Sequence, residues 1–88
     1  MNAEFRRSFA KDLEAIASKD LMQRVQEIIN LVEKVRSLKD IPNLKKLRDG
    51  GDCYRIRIGE YRVGLVIVGN RVTFVRCLHR REVYRHFP

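Results

Sequence analysis

Cysteine is scarce in this 88-residue chain, which has only two, and no CxxC pair occurs. That excludes a disulfide-stapled scaffold. It also excludes a zinc ribbon, because four ligands at zinc spacing cannot be assembled. Long apolar runs are missing as well. The longest, residues 63–69, is far too short to cross a bilayer. The first residues mix Glu4, Arg6 and Arg7 with apolar neighbours, so no signal peptide is expected and the expected location is the cytoplasm. No linker, repeat or low-complexity segment interrupts the chain, and no Ser-His-Asp, Cys-His or phosphate-loop pattern is present. What remains is 44% hydrophobic and 34% charged. That composition predicts one globular domain over residues 1–88, with no room for a second core.

Acidic residues are also scarce, but only in one region. The net charge is +8. Residues 1–44 hold 8 basic and 7 acidic side chains, whereas residues 45–81 hold 10 basic ones against Asp49, Asp52 and Glu60. Eight of those ten are arginine. Arginine favours two-pronged phosphate binding, so the segment points to a polyanionic partner, RNA or DNA.

Hydrophobic spacing divides the chain into helices, then strands. Phe9, Leu13 and Ile16 recur at helical spacing, with Ser8 as a candidate N-cap. Residues 2–6 carry a faint strand pattern. Leu21, Val25, Ile28, Val32 and Val35 define a second helix, widened by Ile29 and Leu38 and capped by Ser18 or Asp20. A short link makes the two a helical hairpin. Residues 49–52 read as a turn. From Cys53 the period becomes two. Gly59-Glu60 and Gly69-Asn70 are two-residue hairpin loops with glycine first, as a type II′ turn requires. The predicted fold is α+β: a helical hairpin, after an optional short strand, on an antiparallel sheet of three to four strands, with a short C-terminal helical turn.

The loops also predict a register. Ile58 pairs with Tyr61, Arg57 faces Arg62, Arg55 faces Gly64 and Cys53 faces Val66. Directly opposed residues share a face. Tyr54, Ile56, Ile58, Tyr61, Val63, Leu65 and Ile67 therefore form the core face, and Arg55, Arg57 and Arg62 cluster on the other. Opposed like charges weaken a sheet, so this arrangement implies an anion to hold. Gly64 leaves space beside the cluster. The same reasoning places Cys77 opposite Arg62 with His79 on that face. It also puts Arg76 on the core side, an inconsistency that a bulge near the strand end would repair. The two thiols, about 13 Å apart by strand rise, are expected to be free. Cys77 reads as a small buried residue before a reactive one.

Four segments together resemble the RelE/ParE superfamily of type II toxins, and its RelE-like branch most of all. They are "SFAKDLEAI" in the helical hairpin, "NLKKLRDGGDCYRIRIGEYRVGLVIV", "RVTFVRCL" and the ending "HRREVYRHF". The resemblance implies a cytosolic toxin held inactive by an acidic antitoxin. Its RelE-like relatives enter the ribosomal A site and cleave mRNA there without a metal or other cofactor, by 2′-OH attack on the adjacent phosphate. By motif, Arg55 and Arg57 stand at the family's strand cations, Arg62 at the arginine after "GEY", Arg80 at the arginine after the last strand and Tyr84 at the C-terminal tyrosine. The best-known members carry lysines in the "YRIR" strand. Arginine stabilises charge but transfers protons poorly. Histidine is the residue type suited to proton transfer near neutral pH, which makes His79 a candidate against the plainer reading of a strand-end surface histidine. Lys45, Lys46, Arg48 and Arg81 are further candidate RNA contacts. Cys77 and His79 alone do not make a metal site. Two alternatives stay open: a ParE-type inhibitor of DNA gyrase, and a ribosome or RNA binder without cleavage.

Overall fold

A computed structural model describes residues 1–47 and 51–88. In chain order the elements are β1 (Asn2–Phe5), α1 (Arg7–Glu14), α2 (Lys19–Lys34), a 3-10 turn (Leu38–Asp40), β2 (Leu44–Lys46), β3 (Cys53–Ile58), β4 (Tyr61–Val68), β5 (Arg71–His79) and α3 (Val83–His86). The strands form one sheet in the order β1-β5-β4-β3-β2. The α+β class is as the residues predict, but the sheet has five strands and is mixed, because β1 lies parallel to β5. That pairing joins opposite ends of the chain, and no local pattern announces it. The turn expected at residues 49–52 lies partly outside the described residues.

The helices form for the expected reasons, with two adjustments. Ser18 caps α2, its side chain accepting from the Leu21 N–H at 3.1 Å. Leu21, Val25, Ile29 and Val32 are its buried seam. Ile29 thus replaces Ile28 at the centre, and Leu38 falls in the 3-10 turn instead of the helix. Ser8 does not cap α1. The Arg6 N–H still donates to Phe74 O at 2.9 Å, as if β1 continued, so the helix starts at Arg7 and Ser8 lies within its first turn. Its hydroxyl donates instead to Val75 O at 2.6 Å.

One face of the sheet is buried against α1 and α2. Ile56, Val63, Leu65, Val72 and Phe74 are fully buried there, with Phe9, Val25 and Val32 opposite. Each such side chain contributes roughly 1.5–3 kcal/mol when removed from water. Gly59 and Gly69 have φ of 57° and 59°, and neither Glu60 nor Asn70 has a positive φ, as the first-position glycine of these loops requires. The β3–β4 register is the expected one, including Arg57 opposite Arg62 and Arg55 opposite Gly64.

The β4–β5 register departs from expectation midway. It runs as the loop dictates to Leu65 opposite Phe74, then shifts so that Gly64 faces Arg76. Val75 is the extra residue of a bulge, nearer the middle of the strand than its end. Every later residue changes face. Cys77 faces Val63 and is buried in the core, so it does not sit beside Arg62; Leu78 does. Arg76 moves out of the core side, where its charge had no partner. It now forms a two-pronged pair with Asp12 of α1, at 2.8 and 3.0 Å.

Asp12 also closes the edge of β5 beyond β1. Its Oδ2 accepts from the Cys77 N–H at 2.9 Å, while Ser8 uses Val75 O. Backbone groups of an uncovered edge are thereby satisfied by side chains of α1. On the opposite face, the C-terminal segment docks through Val83 and Phe87, both buried. A Cβ at Gly64 would lie 2.7 Å from the Phe87 ring, so the gap beside the arginines is filled by Phe87.

Asp12 has 11% of its side chain exposed, and Arg76 has 24%. Replacing Asp12 with Ala should therefore cost about 2–4 kcal/mol, since it strands a guanidinium and a strand N–H. Asp12→Asn, which keeps an acceptor for the Cys77 N–H, should cost less. Urea unfolding measures both, and an Ala variant with the wild-type midpoint would refute this role.

Candidate functional site

The β3–β4 hairpin presents its arginines at one end of the outer face. Arg57 and Arg62 are opposed there, and a cleft of about 480 Å³ opens beside them. Arg57, Arg62 and Arg80 line it with the Gly59-Glu60 turn, and Arg24 of α2 and Asn43 complete the wall. Arg62 is the fixed member. Its Nη1 donates to Gly59 O and Tyr61 O, both at 2.9 Å. Partial burial depresses its pKa below the usual arginine value, with further lowering by Arg55, Arg57 and Arg80 and some offset from Tyr84. These five groups thus form one electrostatic cluster, and Arg62 remains charged at neutral pH.

Arg80 is tied to the turn twice. Its backbone N–H donates to Glu60 O at 2.7 Å, and its Nε pairs with Glu60 Oε2 at 2.6 Å. Both side chains of that pair are more than half exposed, so the ion pair contributes little, about 0–1 kcal/mol. Arg80 is therefore held only loosely by its side chain. Arg55 lies outside the cleft wall, opposite Gly64, with its Nε buried and unpartnered among the described residues. Tyr84 is 60% exposed, with its ring free to meet a ligand.

Three other expected positions fall elsewhere. His79 is not on the arginine face. The bulge turns it to face Tyr61, against whose ring it packs edge-on at 5.6 Å, while its Nδ1 accepts from the Arg81 N–H at 3.2 Å. Lys45 opposes Arg55 and so shares its face, but Lys46 opposes Tyr54 and lies 5.9 Å from the centre of that ring. Arg81 is exposed and outside the cleft wall, and Arg48 lies outside the described residues. Arg24 and Asn43 were not anticipated. Arg24 sits on the polar side of α2, where a charged residue carries no local sign of what it faces. Asn43 has φ of 61°, a left-handed conformation asparagine tolerates, and the Ile41-Pro42 step only hints at a turn there. Among the described residues, no group of three or more His, Cys, Asp or Glu side chains is placed to hold a metal ion. Also among them, no helix is long and apolar enough to cross a membrane.

A family model described as the ParE toxin of the type II toxin-antitoxin system, parDE, matches residues 3–84. The curated Toxin RelE3 of Methanocaldococcus jannaschii is 35% identical over 89 residues, covering 100% of both chains. The chain belongs to the RelE/ParE superfamily of type II toxins. Solved structures agree with this toxin fold. In the crystal structure of the RelB-RelE antitoxin-toxin complex from Methanococcus jannaschii, the matching chain has a TM-score of 0.83 at 33% identity, covering 97% of this chain and 99% of that one. The archaeal RelE-RelB complex from Pyrococcus horikoshii OT3 shares the fold, with a TM-score of 0.73 at 21% identity over 93% of this chain and 97% of that one.

Both cysteines of the toxin are free. Burial, then Asp12, pushes the Cys77 thiol up to about 12. Folded protein therefore keeps a proton that the unfolded chain releases above about 8.5. This group leaves stability unchanged below that pH and lowers it as pH rises from there toward about 12. Cys77→Val should flatten the alkaline fall in melting temperature relative to wild type. Identical alkaline slopes would place the thiol in a more polar site than its burial implies.

Proposed function

We propose that this toxin acts on the ribosome, cleaving mRNA in the A site through attack of a ribose 2′-OH on its adjacent phosphate with departure of the 5′-oxygen. The observation that carries the reading is the convergence of Arg57, Arg62 and Arg80 on one cleft. The transition state gathers charge on the phosphate oxygens, and preorganised cations aimed there are worth several kcal/mol. Arg62 fits this role best. Its two carbonyl bonds use Nη1 alone, leaving Nε and Nη2 for a two-pronged phosphate contact. Arg57 neutralises the same phosphate, and Arg80, released from Glu60, serves the leaving oxygen. Tyr84 stacks on a base. His79 takes no part, because it faces away from the cleft; the 2′-OH proton passes to water and the departing 5′-oxygen takes a proton from water, while positioning and charge carry the rate. The reaction as written uses no metal.

The partner that restrains the toxin is a cognate antitoxin. The similar structure from Methanococcus jannaschii is an antitoxin-toxin complex, and a net charge of +8 favours an acidic chain that orders on binding. A second reading, inhibition of DNA gyrase, is favoured by the ParE description of the matching family model. Mapping mRNA 5′ ends after expression separates the readings. In-frame cuts support cleavage, DNA breaks with intact mRNA support the gyrase reading, and stalled translation without cuts leaves a binder.

Arg62→Ala and Arg80→Ala should each lower cleavage on programmed ribosomes by roughly 100-fold or more. Stability should stay within about 0.5 kcal/mol of wild type, since repulsion from Arg57 offsets the carbonyl bonds of Arg62 and the Arg80 pair is exposed. Arg62→Lys should rescue only part of the rate. Thermal melting run beside single-turnover cleavage checks this. Activity lost only in proportion to folded protein would make the arginines structural.

A further inference from the structure

The cleft does not end at the arginine pair. A second groove of about 270 Å³ adjoins it, and Arg24, Asn43 and Arg57 wall both. Beyond them the groove is apolar on one side, where Ile28 and Leu31 of α2 face Pro42. We infer that Arg24 binds the phosphate next to the one held by Arg57 and Arg62, and that the groove receives the base of that flanking nucleotide. The inference rests on RNA occupying the cleft.

Several observations favour this occupant. Arg24 is seated over the hairpin turn: its Nη1 would lie 3.1 Å from a Cβ at Gly59. A Cβ there would push the guanidinium back by a few tenths of an ångström, so the loop glycine eases the approach of a helix cation to the cleft. Arg24 is not spent on its own helix. Asp20 and Glu27 lie four residues before and three after it, yet among the described residues neither is within ion-pair distance of it. The Glu27 carboxylate accepts from Gln23 instead, at 3.3 Å. Glu27 also lines the groove, which opposes entry of a phosphate and keeps the backbone at the Arg24–Arg57 mouth. An apolar wall beyond a cationic mouth suits a nucleotide with its base inward and its phosphate outward.

The test uses the full chain and two non-cleavable probes, a 2′-deoxy-substituted RNA tetranucleotide and the matching dinucleotide, titrated across a salt series. Arg24→Ala should weaken the tetranucleotide about tenfold, as loss of one charge-assisted contact implies, and leave the dinucleotide unchanged. The slope of log affinity against log salt should shrink by roughly 0.7 for the tetranucleotide alone. Arg24→Lys should keep the slope while regaining part of the affinity. Arg24 is exposed, so thermal midpoints should stay within about 3 °C of wild type. Equal losses on both probes, or a loss confined to antitoxin binding, overturn the inference. Wild-type protein that binds neither probe overturns RNA occupancy of the cleft itself. Wild type that binds both while Arg24→Ala changes neither overturns this inference alone.

Discussion

Burial of the middle of one sheet face is the constraint from which the rest follows. Ile56, Val63, Leu65, Val72 and Phe74 have no exposed surface, because α1 and α2 cover them. Alternation then sends the residues between them outward, and in β3 and β4 these include Arg55, Arg57 and Arg62. The apolar contacts are strong enough to hold cations in opposition that would otherwise push the hairpin apart. The inner face supplies most of the cohesion, and on the outer face Val83 and Phe87 are buried while the arginines stay open at the hairpin end.

The cluster is held in different ways at different points. Arg62 is anchored by the carbonyls of its own turn, which fix its plane without neutralising it. Arg80 is held by a carboxylate through an exposed pair, which fixes it loosely. The cleft thus sets a rigid cation beside a releasable one. Arg76 shows the contrary case. Its bidentate pair with Asp12 is shielded and engaged with backbone as well, so this arginine serves the fold.

Local signals made the hairpins legible in detail. The Gly59-Glu60 loop was enough to oppose Arg57 with Arg62, Arg55 with Gly64 and Cys53 with Val66, and the Gly69-Asn70 loop set the next pairing as far as Leu65 opposite Phe74. They failed at Val75, because a bulge is decided by the demands of both faces together. Its one trace in the sequence was the misfit of Arg76. That single residue moved Cys77 and His79 off the arginine face. The parallel pairing of β1, the seating of Phe87 on Gly64 and the approach of Arg24 to Gly59 are contacts between distant segments. Each has a local hint, a glycine or a faint strand, but the partner is named only by the folded chain.

The pairing of Asn2 with Arg71 sets a timetable as well as a shape. Joining segments so far apart carries a loop-closure cost, and sheets built on such contacts assemble slowly. During synthesis the N-terminal strand waits without its neighbour until β5 is made. The β3–β4 hairpin can close early and bring Arg57 to Arg62, but Arg80 arrives only after the last strand. The cleft is therefore among the final features to be completed, and a chain still being translated carries its cations without yet carrying the site.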